Sequence, residues 1–286
     1  MGVAPPPVFR LGYRPALDGL RAVAILLVIA YHDGLLEGGF VGVDVFFALS
    51  GFLITSLLVE EWRERGTIQL GRFYARRALR LAPALSVFVF TVYAATHWLV
   101  PSMAGALEGR WALAALLYLT NILTAYGGEY PLGLVSICWS LAMEEQFYLL
   151  WPLLLRTALR ARLSWRVLAL LLGALVFACN VLRLGLARRG GEEAWLRIYF
   201  GPDTRADAIL VGCLLAVLVA WRGVPPASAR PASIAGFFAG AAALGGCPPP
   251  ITSRTRSHRP WSLRWSPPRR PSSCWRRSAG AGWRPR

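Results

Sequence analysis

Long apolar runs separated by short polar breaks dominate the chain, at 17–35, 41–59, 81–100, 111–126, 133–155, 166–183, 205–221 and 231–246. Most approach the ~20 residues needed to cross a hydrocarbon core about 30 Å thick, while 111–126 and 231–246 are shorter. Backbone N–H and C=O groups inside lipid find no water, so such segments must close their hydrogen bonds internally. The pattern predicts an all-α fold, a polytopic transmembrane helical bundle of about seven or eight membrane segments. No internal repeat is visible, and connections are short apart from the arginine-rich 60–80 and the mixed-charge 184–204.

Polar residues inside the apolar runs need a reason to be there. In the first, Arg21 precedes His32 by eleven positions. At about 100° and about 1.5 Å per residue both side chains fall on one face, about 16 Å apart along the axis. That spacing puts a titratable imidazole near half of the hydrocarbon thickness from Arg21. Asp44 opens the second run. An unpaired carboxylate there costs about 2.5–3.5 kcal/mol. Glu144 and Glu145 sit side by side in 133–155, with Ser140, Glu144 and Tyr148 at i, i+4 and i+8, on one helix face.

Charge sets the expected orientation. The 286 residues carry 31 basic side chains, all of them arginine, against 15 acids, for a net charge of +16. Arg10, Arg14 and Arg21 predict a retained first span with a cytoplasmic N-terminus. Arg63, Arg65, Arg72, Arg76, Arg77 and Arg80 place the 60–80 connection on the same side. Counting every later run as a full crossing puts Arg156, Arg160, Arg162 and Arg166 outside. Either 111–126 or part of 133–155 does not cross, or the positive-inside rule fails here.

Composition changes after Gly246. Residues 247–286 hold ten arginines, no acid and many Pro, Ser and Trp without apolar periodicity. Residues 1–246 are therefore expected to form the transmembrane domain and 247–286 a basic, disordered tail. Tryptophan is unusual in disordered tails, so an out-of-frame or truncated C-terminus is the expectation here. The excess positive charge belongs to membrane topology and this tail, not to nucleic-acid binding. Five scattered cysteines and three scattered histidines predict neither a disulfide framework nor a metal site.

Five stretches in order, RPALDGLRAVAILLVIAYH, GGFVGVDVFFALSGFLIT, FYARRALRLAPAL, WSLAMEEQFYLLWP and DTRADAILVG, run from Arg14 to Gly212. Together they resemble the acyltransferase-3 family, integral membrane O-acyltransferases that move acyl groups from acyl-CoA onto surface glycans and other acceptors. The resemblance implies transfer of an acyl group, acetyl above all, to a glycan or lipid-linked saccharide hydroxyl in the cell envelope. It also implies a multi-pass protein of the bacterial cytoplasmic membrane, in contact with lipid and using acyl-CoA as donor substrate, with no permanently bound cofactor.

The resemblance assigns the residues as follows. Arg21 and His32 match the family's arginine, ten residues, histidine signature. An imidazole near neutral pKa suits a general base that takes a proton from an attacking hydroxyl. Arg21 is expected to hold a donor phosphate or orient a carboxylate such as Asp18, or to snorkel at the interface. Arg76, Arg77 and Arg80 belong to a cationic stripe suited to the pyrophosphate and ribose phosphate of CoA, or to topology and anionic lipid. Glu144 occupies the motif's glutamate, ready to pair with His32 or an arginine, or to bind acceptor hydroxyls, with Ser140 and Tyr148 in support. Asp44 either orients His32 or caps or pairs structurally, and the second is favoured. Ser50-Gly51 is expected to let two helices approach closely. Asp203 and Arg205 match a polar pair that could face the site, with Thr204 and Asp207 as a capping box. Whether a covalent intermediate forms stays open.

Two rival readings remain. Buried Arg, Asp, Glu and His also mark the pathways of transporters and proton or ion channels. The family usually has about ten spans, so an inactive truncated remnant is the other.

Overall fold

The computed structural model describes Gly12 and residues 14–99, 109–128 and 133–223. Every regular element among them is helical: α1 (Pro15–His32), α2 (Val41–Arg65), α3 (Leu70–Ala94), α4 (Gly109–Leu116), α5 (Thr120–Gly127), α6 (Cys138–Arg160), α7 (Trp165–Arg189), α8 (Glu192–Phe200) and α9 (Pro202–Arg222). The run 231–246 and the tail 247–286 lie outside the described residues. Among those described, five stretches have the length and apolar composition to cross a membrane, namely α1, α2 with the turn before it, α3, α7, and α8–α9. α6 has the length, at 23 residues, but carries both glutamates.

Local chemistry fixes the ends. Pro15 starts α1, where its missing N–H is no loss. α2 stops at Gly66, whose left-handed φ of 66° lets its N–H close on the Trp62 carbonyl at 2.8 Å, a glycine-terminated helix end. Ser164 caps α7 by accepting the Val167 N–H at 3.3 Å, which satisfies one of the free donors of the first turn. Pro83 lies inside α3, as membrane helices tolerate.

Pairwise contacts give each helix a direction. Along α2, Phe47 meets Trp139, Ser50 meets Glu144 and Thr55 meets the Trp151 indole, so α2 and α6 run parallel. Asp44 meets Arg205, and Arg63 reaches the Ala220 carbonyl at 2.6 Å, so α9 also runs with α2. α1 runs against α2, since Gly42 lies on Ala24 and Gly39 on Leu27. α3 runs against α6, because Tyr74 donates to the Leu149 carbonyl while Arg77 pairs with Glu145. Arg183–Asp207 at one end and Arg166–Trp221 at the other set α7 against α9.

These directions resolve the orientation conflict. α3 and α6 are opposed, so the chain between them returns without crossing. The run 111–126, read as one segment, breaks at 117–119 into two eight-residue helices. At the rise of an α-helix each is about 12 Å long, too short to span. Tyr118 sits at the elbow with φ 56°. Gln146 pins that elbow, donating to the Tyr118 carbonyl at 2.7 Å and to Asn121 Oδ1 at 2.8 Å, while Asn121 donates back at 3.2 Å. Arg156 and Arg160 therefore end on the same side as Arg63 and Arg65.

The core gathers around α2, α6 and α9, with Phe47, Trp139, Trp151, Leu155, Phe200, Ile209 and Val217 buried together. Leu170, Leu171, Leu175 and Phe177 of α7 point outward, as do Val23 and Leu26 of α1. That is the arrangement expected of lipid-facing positions.

Candidate active site

Two cavities lie along α2. The first, about 820 Å³, is a groove between the C-terminal half of α2 and the start of α3. Arg76, Arg77 and Arg80 line it together, so the structure brings the three predicted donor-binding arginines to one place. Glu60, Glu61 and Glu64 form the facing wall with Arg65. Glu61 is engaged there, 3.7 Å from Arg65 and accepting the Gln69 N–H at 3.3 Å. The second cavity, about 270 Å³, is an apolar cleft between α1, α2 and α6. Its polar lining comes from Ser140 and Glu144, and Val28 supplies part of its α1 wall.

Between α2 and α6 the Ser50 hydroxyl donates to Glu144 Oε1 at 2.5 Å. The buried Tyr148 side chain has Ser50 and Arg77 beside it. The Arg77 guanidinium lies 3.4 Å over the Tyr148 ring and 3.9 Å from Glu145. Arg77, Glu145 and Arg21 are the charged neighbours of Glu144. Glu144 thus takes its hydrogen bond from Ser50, while the arginine ion pair on α6 falls to Glu145. The i, i+4, i+8 face is kept. Ser140 and Glu144 open on the cleft, while the buried Tyr148 ring lies against Arg77.

Arg21 lies 3.4 Å from Asp18, one turn away on α1. His32 is the last residue of α1 and is exposed, so the imidazole sits at the helix terminus and not midway along a longer span. Its Nδ1 lies 2.8 Å from the Val28 carbonyl. A carbonyl only accepts, so Nδ1 carries the proton and Nε2 is left as the acceptor. The tautomer of the neutral ring is therefore set by backbone on α1.

Asp44 does not set it. Its carboxylate is 2.8 Å from Arg205, both groups nearly inaccessible, and it makes no cap bond on α2. Structural pairing is the outcome, and the route from Asp44 to His32 is corrected. Asp203 and Arg205 do not pair with each other or meet the cleft: Arg197 grips Asp203 through two nitrogens at 2.6 and 3.0 Å. The expected capping box also fails. α9 is capped from Gly201, Thr204 donates to the Arg197 carbonyl at 2.6 Å, and Asp207 binds Arg183. An arginine within reach offered each carboxylate more than a backbone N–H could.

Three contributors escape sequence reasoning. Ser50 reads there as a close-packing residue, although a hydroxyl midway along a buried helix needs an acceptor. Arg183 belongs to none of the motifs, yet a lone arginine in an apolar span signals a buried carboxylate partner such as Asp207. The Asn121–Gln146 pair leaves no signal beyond two amides in apolar surroundings.

Residues 14–265 match the model of the family described as "Acyltransferase domain". Over 229 residues the chain is 36% identical to the peptidoglycan O-acetyltransferase OatA of Listeria monocytogenes, covering 76% of this chain and 36% of that protein. A putative peptidoglycan O-acetyltransferase of Bacillus subtilis, YrhL, is 36% identical over 217 residues, with 72% and 33% covered. A putative O-acetyltransferase of Staphylococcus aureus is 37% identical over 224 residues, with 73% and 35% covered. The chain thus spans about a third of the length of these relatives. No solved structure matches it.

Proposed function

The chain belongs to the acyltransferase-3 family of membrane acyltransferases, and from that premise we propose that it moves an acetyl group from acetyl-CoA to a hydroxyl of a cell-envelope glycan. The observation that carries this reading is the arginine-lined groove of α2 and α3, whose Arg77 stacks on Tyr148, one helix turn from the Glu144 that lines the cleft. The groove lies within the usual size range of small-molecule sites and concentrates guanidinium groups where CoA phosphates would bind. The cleft is narrow and apolar, suited to an acyl group, and offers Glu144 to the acceptor. The names of the relatives support a peptidoglycan acceptor.

In this reading the nucleotide end of the donor rests on Arg76 and Arg80 at the cytoplasmic face. The pantetheine arm brings the thioester towards the cleft. His32 Nε2 takes the proton from the acceptor hydroxyl, whose oxygen attacks the thioester carbonyl. The C–S bond breaks, and the CoA thiolate leaves and is protonated. Glu144, held by Ser50, binds a hydroxyl of the acceptor and orients it. The membrane is the bacterial cytoplasmic membrane, with the N-terminus and the arginine end inside.

Radiolabelled acetyl-CoA incubated with membranes containing the chain tests the reading. Label transferred to glycan, with His32→Ala lowering transfer about 10²-fold or more while inserting normally, is the expected result. Transfer at wild-type rate in His32→Ala overturns the catalytic assignment. Flux of a solute without any use of acetyl-CoA would favour a transporter instead.

A further inference from the structure

The three arginines of the groove are not equivalent. Arg76 and Arg80 line the groove with no protein hydrogen bond or ion pair among the described residues, leaving their guanidinium groups for a ligand. Arg77 turns inward. Its side chain is 19% exposed, its guanidinium stacks on Tyr148 at 3.4 Å, and Glu145 lies 3.9 Å away. Tyr148 is in reach of Ser50, and Ser50 donates to Glu144 at 2.5 Å. Arg77, Tyr148, Ser50 and Glu144 therefore follow one another from the groove wall on α3 to the cleft lined by α6 and α2.

Resting on the acetyl-CoA reading above, we infer that Arg77, Tyr148 and Ser50 form a positioning relay for Glu144, and that Arg77 is not a phosphate ligand. Ser50 fixes the rotamer of Glu144, so that its carboxylate faces the cleft. Tyr148 limits where the Ser50 hydroxyl can go. Arg77 holds the Tyr148 ring in place from the groove wall. A stacked, half-enclosed guanidinium is poorly placed to grip a pyrophosphate bidentately without breaking its own contacts. Arg76 and Arg80 face no such conflict.

Steady-state kinetics on the full chain in lipid nanodiscs separate the two roles, with acetyl-CoA varied and a soluble N-acetylated glycan oligomer as acceptor. Arg76→Gln and Arg80→Gln should raise KM for acetyl-CoA about tenfold with kcat within about twofold. Arg77→Gln, Tyr148→Phe and Ser50→Ala should instead lower kcat about tenfold or more and leave KM within about threefold. Ser50→Thr, which keeps the hydroxyl, should recover most of kcat. The double variant Arg77→Gln/Ser50→Ala should be no slower than the worse single, as groups acting in one chain are not additive. Monodispersity on size exclusion shows that each variant folds, and Tyr148→Phe keeps the ring packing if the arginine variant does not. Arg77→Gln behaving like Arg76→Gln, with KM raised and kcat kept, overturns the relay while leaving the donor reading intact. Wild-type protein that neither binds nor consumes radiolabelled acetyl-CoA overturns the donor reading and the relay with it.

Discussion

Asp44 and Arg205 meet at 2.8 Å with both side chains almost wholly inaccessible, and each is tolerable only because of the other. Removing one partner leaves an unpaired charge inside the bundle. Asp44→Leu or Arg205→Met alone should therefore destabilise by about 3–5 kcal/mol, whereas the double variant, which leaves no charge, should fall closer to wild type. Thermal unfolding in detergent, read as a double-mutant cycle, checks this. A double variant as damaged as the sum of the singles would mean that the pair is not what the residues are there for. The same residues mark how far sequence reasoning carries. That Asp44 needs a partner is legible, because a carboxylate beside lipid is costly wherever it stands. Its partner is not, because Arg205 comes from a helix far along the chain and pairing depends on how α9 crosses α2. His32 is legible as a residue type in a motif. Its tautomer depends on where α1 ends, and that end comes before the apolar run does.

At the scale of elements, the crossing of α2 and α9 depends on two glycines. A methyl group placed on Gly51 would collide with the Ile209 carbonyl, and one on Gly212 with the Ala48 carbonyl and the Phe52 N–H. Backbone cannot yield as a side-chain tip can, so Gly51→Ala and Gly212→Ala must push the helices apart. Each should cost about 1–3 kcal/mol or more and lower the folded yield. Gly173 on α7 has open space around the equivalent position. There, Gly173→Ala should be neutral or stabilising by up to about 1 kcal/mol. Comparable losses at all three sites, measured by the detergent-solubilised folded fraction, would rule out close approach as the cause. The role of Gly51 is legible in sequence, since a small residue in an apolar helix has few other uses. The split of 111–126 is not, because Leu-Tyr-Leu at the break carries no glycine or proline. Tertiary contact makes that elbow: Gln146 of α6 binds the Tyr118 carbonyl, a backbone group that the break leaves open.

For the whole molecule, the decisive quantity is the parity of crossings. α1, α3 and α7 run one way and α2, α6 and α9 the other, while α4 and α5 are each too short to cross. Arg63, Arg65, Arg72, Arg76, Arg156, Arg160 and Arg166 then share one end of the bundle, which is the distribution the positive-inside rule demands of a cytoplasmic face. His32 and the Asp44–Arg205 and Arg197–Asp203 pairs gather towards the opposite end. On the function proposed above, a donor on the groove arginines and an acceptor at His32 would approach from opposite ends of the bundle. This arrangement makes a prediction independent of any enzyme assay. Single cysteines at Gly66 and Arg162, introduced into a cysteine-free chain, should react with a membrane-impermeant maleimide only after the cells are opened. Cysteines at Gly34 and Gly190 should react in intact spheroplasts. Labelling of Arg162→Cys from outside would mean that α4–α5 crosses after all, and would separate the arginine groove from the side on which α6 ends. Matching labels at Gly66 and Arg162 would instead put the ends of α2 and α6 on one face, as their parallel packing requires.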